Sequence, residues 1–328
     1  MTTGDRSHFL REHRATFAAA AMFVLLFALY IGKHQAGWTV PVLTTAANKG
    51  VLLAIVAMAQ TLAVLTGGID LSVGMVFVLA NCLASHLVVG TPLQALGGIA
   101  CVLAAGAACG LVNGLIIVFG RLQPIITTLA TGVVYFGLSL GLRPVPGGDV
   151  QADIADALTG AAPGGVPAML LVLLATVLLV WVPYRRSVVG RAALAIGSSE
   201  PAAYMSGVAI GRTRIVTYTL CGLLASLGGL MLTFVTYSGE ASAGIGGVYT
   251  LNSIAAVVIG GAVLSGGSGS AIGSIFGAFL LRTIGDLLFV FDLEPLWQPL
   301  FQGVILLTAV SLGAARLFKT TDRLDLYR

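Results

Sequence analysis

Charge is scarce in this chain: only 9% of its 328 residues are Asp, Glu, Lys or Arg and 57% are apolar, whereas soluble domains run at about 25% charged and about 45–50% apolar. That scarcity excludes an ordinary soluble enzyme or binding domain. Cysteine is also sparse. Cys82, Cys101, Cys109 and Cys221 all fall in apolar stretches without CxxC spacing, and Cys101 and Cys109 are too far apart along one helix to bridge. They read as small packing residues. Histidines form no cluster, so no metal site is expected, and no cofactor motif is present. A GxxxxGK[ST] phosphate loop is missing, since Gly32-Lys33 is followed by His34 with no glycine upstream. HExxH is missing as well, so the chain is expected to be non-catalytic and to leave ATP hydrolysis to another subunit.

What the chain has in abundance is apolar runs. A hydrocarbon core of about 30 Å takes about 20 apolar residues as helix, because every backbone polar group must be satisfied within the segment. Suitable windows lie at 16–32, 47–66, 71–89, 93–119, 124–142, 166–183, 214–236, 249–265, 270–290 and 297–315. The expected fold is an all-α integral membrane protein with about ten transmembrane helices. Residues 1–328 read as one transmembrane domain, with the basic segment 184–214 as its one sizeable projection.

The first window follows Arg6, Arg11 and Arg14, as in a signal peptide, but no small-x-small site follows Ile31 and it reads as an uncleaved span. With the N-terminus in the cytoplasm, the inside face carries Arg6, Arg11, Arg14, Arg121, Arg185, Arg186, Arg191, Arg212, Arg214, Arg316, Lys319, Arg323 and Arg328. That is thirteen basic residues against three outside, Lys33, Lys49 and Arg143, with Arg282 inside a span. The positive-inside rule then puts both termini in the cytoplasm and the Asp149, Asp153 and Asp156 loop outside. The formal net charge of +4 therefore reports topology, and no nucleic-acid partner is implied.

Forty-three glycines in such a chain mean close helix packing, broken helices, or both. Gly106, Gly110 and Gly114 form one GxxxGxxxG ridge, and Gly269, Gly273 and Gly277 form another. Two further clusters, at 67–74 and 260–267, share GGxxLSxG and read as breaks in a suspected internal repeat without a fixed register. Asp70 lies in the first break. It has two readings: a carboxylate accepting N–H groups at a helix start with Ser72 helping to cap, which is preferred, or an ion-coupling group. Arg282 and Asp286, four apart, are expected to pair on one helix face. The remaining span polars, Gln60, Asn81, Asn113, Thr127, Thr128, Asn252, Ser253 and Gln302, read singly as interhelical hydrogen-bonding groups and together as an uncharged path for a hydroxylated solute. Asp70, Ser72, Asn81, Asn113 and Asn252 are the candidates for that path or its gate.

Within the basic segment, Gly197 is expected to break the chain, Ser199 to cap a helix, Glu200 and Pro201 to occupy its first turn, and Gly207 to end it. The result is a short helix of about two turns outside the bilayer, with Tyr204 and Met205 forming a small apolar face for a partner's groove.

Four stretches carry a resemblance: GGIDLSVG at 67–74, GLVNGLIIVFGRLQPIITTLA at 110–130, GRAALAIGSSEPAAYMSGV at 190–208 and IAAVVIGGAVLSGGSGSAIGSIFGA at 254–278. Together they resemble the permease subunits of ribose-type sugar ABC importers over nearly the whole chain. The resemblance implies a bacterial inner-membrane permease working by alternating access. It also implies its partners: a second permease copy or paralogue, ATP-binding subunits, a periplasmic sugar-binding protein and membrane lipid. The family's coupling helix maps onto Gly190, Arg191, Gly197, Glu200, Ala202, Ala203 and Gly207. This chain departs from the family pattern at Ser198-Ser199-Glu200-Pro201, at Tyr249-Thr250-Leu251-Asn252, and at Ile125.

Overall fold

The computed structural model describes residues 14–294, 297, 300–301, 303–304 and 307–308. Its helices are α1 (Arg14–Lys33), α2 (Val40–Leu65), α3 (Val73–Leu87), α4 (Pro92–Phe119), α5 (Pro124–Leu142), α6 (Ala152–Thr159), α7 (Ala168–Arg186), α8 (Val188–Ser198), α9 (Glu200–Met205), α10 (Ile210–Thr236), α11 (Ala243–Ile259) and α12 (Ala271–Val290). A short antiparallel pair, β1 (Ala161–Ala162) and β2 (Val166–Pro167), lies between α6 and α7. Each of the first nine apolar windows contains a helix, and the protein is an all-α, multi-pass membrane protein. Gln302, most of the tenth window and the basic residues of both tails, apart from Arg14, lie outside the described residues.

Among the described residues, seven helices are long and apolar enough to cross a membrane: α1, α2, α4, α5, α7, α10 and α12. Pro in the first turn opens α2, α4 and α5, where a missing N–H costs nothing. Two other helices are shorter than their windows suggested. α3 has 15 residues and α11 has 17, about 23 and about 26 Å at 1.5 Å per residue, which falls short of a core of about 30 Å. Each adjoins a glycine-rich stretch, 66–72 before α3 and 260–270 after α11. α11 accordingly spans Ala243–Ile259 rather than 249–265, because the chain leaves helical geometry at Gly261, left-handed at φ +92°. Non-helical backbone at membrane depth needs protein around it. In the first break Thr66, Asp70 and Ser72 are buried, whereas in the second Ala262 is buried and Val263, Ser265 and Ser268 are exposed.

The core is built around α2 and α10. From Val51 to Leu65 nothing on α2 reaches the surface. The ridge on α4 seats against α10 with backbone on backbone: a Cβ at Gly110 would meet the Tyr218 carbonyl, and one at Gly222 the Gly106 carbonyl. Such proximity favours helix association where lipid supplies no hydrophobic drive. The second ridge is two glycines rather than three. Gly277 presses on Ala256 of α11 and Gly273 on Gly260 just beyond it, but Gly269 precedes the helix, which starts only after Ser270 accepts a bond from the Ile272 N–H.

One expected pairing is replaced. Asp286 binds Lys49 of α2, with Nζ to Oδ1 at 2.9 Å, instead of Arg282 on its own helix. Elsewhere, the segment with Asp149, Asp153 and Asp156 folds into α6 and the β pair rather than a bare loop. The hydroxyl of Tyr237, just beyond α10, donates to Asp156, and that carboxylate raises the phenol's pKa.

Candidate functional site

The basic segment is held in a defined shape by short-range caps. Ser187 ends α7 and starts α8, donating to the Tyr184 carbonyl at 2.7 Å and accepting from the Gly190 N–H at 3.0 Å. Gly190 is buried on the Tyr184 carbonyl, where a Cβ would not fit. The Arg191 guanidinium donates to the Arg186 carbonyl at 2.8 Å. Ser199, extended at φ −164°, caps α9 by accepting from the Ala202 N–H, with Pro201 in the first turn. Gly207, left-handed at φ +74°, lets the chain turn into α10. Glu200 then clamps α9 to α10 through a forked pair with Arg214, at 2.6 and 3.0 Å.

One expectation about this segment is corrected. Gly197 does not break the chain. It lies inside α8, and the break falls at Ser199. Ala203 is buried against its own chain, whereas Ala202 beside it is exposed. The residues that point away are Val188, Tyr204 and Met205, exposed by 73%, 72% and 85%. Beside them a cavity of about 630 Å³ opens between α8 and the start of α10, lined by Val188, Arg191, Ala195, Val208 and Arg212. This places an apolar face next to a groove that carries two arginines.

Gly197 connects this segment to the membrane interior. A Cβ there would meet the Gly267 N–H and the Leu65 carbonyl, and one at Gly266 the backbone of Gly67 and Gly197. Gly267 donates to the Leu65 carbonyl at 3.3 Å. Gly67 and Gly266 are left-handed at φ +76° and +95°, which only glycine adopts without strain. Both GGxxLSxG breaks and α8 therefore meet at one backbone junction. Spacing alone paired the two breaks in sequence but gave no sign that they touch.

From that junction a buried polar chain runs across the bundle. Asp70, 1% exposed, accepts at Oδ1 from the Ser72 N–H at 2.9 Å and from the Ser72 hydroxyl at 2.6 Å. Ser72, at the N-cap of α3, makes no side-chain cap. Ser72 Oγ also accepts from Asn113 of α4 at 2.8 Å, and Asn113 Oδ1 accepts from the Tyr135 hydroxyl of α5 at 3.2 Å. The break is gripped further by Thr128, which accepts from the Leu71 N–H at 2.9 Å, and by Thr250 of α11, which accepts from the Gly74 N–H at 3.1 Å. The Gln60 amide, oriented to suit both, donates to the Asp70 carbonyl at 2.9 Å and accepts from its N–H at 3.2 Å.

Asp70, Ser72 and Asn113 thus form one cluster, and Tyr135 and Thr250 are members that sequence reasoning missed, since nothing in their spacing marks them. Asn81 and Asn252 do not join it. Asn81 donates to Thr233 Oγ1 at 2.9 Å and accepts from the Glu240 N–H at 2.8 Å, fastening the turn after α10. Asn252 is buried on α11 without a share in this network.

A family model described as the branched-chain amino acid transport system / permease component matches residues 42–310. The ribose import permease protein of Escherichia coli (strain K12) is 36% identical over 261 residues, 78% of this chain and 80% of that protein. That of Bacillus subtilis (strain 168) is 35% identical over 268 residues, 79% of this chain and 80% of that protein. The fructose import permease protein of Rhizobium meliloti is 30% identical over 318 residues, 93% of this chain and 86% of that protein. No solved structure matches the chain.

Proposed function

The chain belongs to the branched-chain amino acid transport system / permease component family, and from that membership we propose that it is the membrane-spanning permease subunit of a binding-protein-dependent, ATP-driven importer for a simple sugar. The sugar class follows the relatives, which are named ribose, fructose and galactose import permeases. Residues 1–328 act as one transmembrane domain in a bacterial inner membrane, with segment 184–214 and both termini on the cytoplasmic side. The chain itself is non-catalytic. A separate ATP-binding subunit docks on it, a periplasmic sugar-binding protein delivers substrate, and a second permease copy or paralogue completes the path.

The observation that carries the coupling role is the double contact of the α8–α9 segment. One side presents Val188, Tyr204 and Met205 to the outside, and the other places Gly197 against both broken spans. A push on α9 is passed through its clamp to α10 and through α8 to the junction at Gly67 and Gly266. Gly190, Gly197, Ala203 and Gly207 set the shape of this lever, while Arg191, Glu200 and Ala202 lie on its surface. Asp70, Ser72 and Asn113 serve as the hinge of the gate, and Asn252 faces the path once it opens. Sugar and nucleotide shift such an equilibrium only by their differential affinity for its states.

The test is assembly and coupling with the ATP-binding subunit. The double variant Tyr204→Ala, Met205→Ala removes the outward apolar face and leaves the caps intact. Co-purification of the ATP-binding subunit should fall at least about tenfold, corresponding to about 1.4 kcal/mol, and sugar-stimulated hydrolysis should fall with it. Unchanged assembly and stimulation would reduce the segment to a topological anchor.

A further inference from the structure

A groove of about 360 Å³ opens between α1, α2 and α12, with Phe23, Phe27, Trp38, Leu43, Phe276 and Phe279 among its walls. Its aromatic wall is continuous: the Phe23 ring lies 5.4 Å from Phe279 and 6.3 Å from Phe276, centroid to centroid. Arg282 and Asp286 stand at its edge, and both also line an adjoining polar cleft of about 210 Å³ together with Lys49. Trp38, 73% exposed at the turn from α1 to α2, lies on the same groove. Such a tryptophan marks headgroup depth in a membrane.

The charges here do not balance. Among the described residues, Asp286 is the only carboxylate lining either cavity, and Lys49 takes it in an ion pair at 2.9 Å. Arg282 is left with neither an ion pair nor a hydrogen bond among the described residues. An arginine inside a span costs about 2.5–3.5 kcal/mol on insertion scales and ordinarily finds a partner. A guanidinium binds phosphate through two parallel N–H donors. Anion and apolar slot are contiguous, so a ligand that satisfies both is amphiphilic with an anionic head.

We propose that this groove holds an acyl chain of an anionic phospholipid whose phosphate lies against the Arg282 guanidinium beside Lys49. The site is distinct from the α8–α9 segment and from the Asp70 cluster, so its success or failure is independent of the transport reading.

The experiment is lipid retention by the full chain in detergent, read by native mass spectrometry after exchange with phosphatidylglycerol or with phosphatidylcholine of matched chain length. Wild type should retain phosphatidylglycerol about fivefold better, the effect of one cation near a membrane surface. Arg282→Gln should abolish that preference and Arg282→Lys should keep most of it, at unchanged thermal unfolding. Ala46→Trp, which fills the groove without removing a charge, should lower retention of both lipids. Equal retention of the two lipids by wild type, or a preference that survives Arg282→Gln, would overturn the proposal. Displacement of phosphatidylglycerol by millimolar inorganic phosphate would point to a plain anion site and overturn it too. So would no retention of either lipid, since another part of the chain or a second copy must then cover the groove.

Discussion

Asp70 sits in the membrane interior with both of its bonds made to Ser72, two residues on, and with no basic side chain bonded to it. The arrangement is that of a turn-forming carboxylate: it fixes the backbone where α2 has ended and α3 has not begun. Asp70→Ala should therefore act on folding. It strands the Ser72 N–H and frees a hydroxyl that orients Asn113, at a cost of about 1–3 kcal/mol for a buried donor left unmade. Asp70→Asn keeps an acceptor and should lose less. Both should lower the yield and thermal midpoint of purified protein, with any remaining uptake still indifferent to sodium and proton gradients. Well-folded Asp70→Asn that loses a sodium or proton dependence present in wild type would assign the carboxylate to ion coupling instead. The capping side of this residue was legible in GGIDLSVG, because an acid two residues before a hydroxyl at a helix start is a local pattern. Its partners Asn113, Tyr135 and Gln60 come from three other helices, and no local pattern announces them.

Among the elements, α4 shows how narrowly packing is specified. A side chain at Gly110 would drive into the backbone of α10, whereas one at Gly97, on the same helix, meets nothing within 4 Å. Gly110→Leu should lower thermal stability by about 1–3 kcal/mol, as overpacking does, while Gly97→Leu leaves it unchanged within about 0.5 kcal/mol. Equal effects of the two, read by thermal unfolding in detergent, would show that the ridge is not an interface. α9 was legible from sequence nearly to the residue, since Ser199, Glu200, Pro201 and Gly207 each have a strong positional preference at a helix end. The shortness of α3 and α11 was not. Hydropathy runs on through a break such as Ile69-Asp70-Leu71 or Ala262-Val263-Leu264, and only the backbone reveals where the hydrogen-bond ladder stops. Asp286 escaped for a related reason: its helical neighbour Arg282 was in view, and Lys49 on a distant helix was not.

For the molecule as a whole, the helices divide into a packed centre, α2 and α10 with α3, α11 and α12 around it, and a rim of α1, α4, α5 and α7 that keeps apolar faces exposed. Exposed Leu129, Val133 and Leu138 on α5 suit lipid or a second permease. The proposed orientation rests on the thirteen-to-three distribution of basic residues. Cysteines placed at Met205 and Asp153, in a background lacking the native four, should react with an impermeant maleimide from opposite faces of the membrane, and reaction of both from outside whole cells would invert or break the topology. The central claim is that this chain moves a sugar inward on the energy of ATP spent by another subunit. It is tested most directly by reconstituting the chain in vesicles with its ATP-binding subunit and sugar-binding protein and following radiolabelled uptake across pentoses, hexoses and polyols. The account predicts uptake of at least one sugar that requires ATP and both partners and is untouched by an ionophore; uptake by the chain alone that collapses when the ion gradient is dissipated would contradict it.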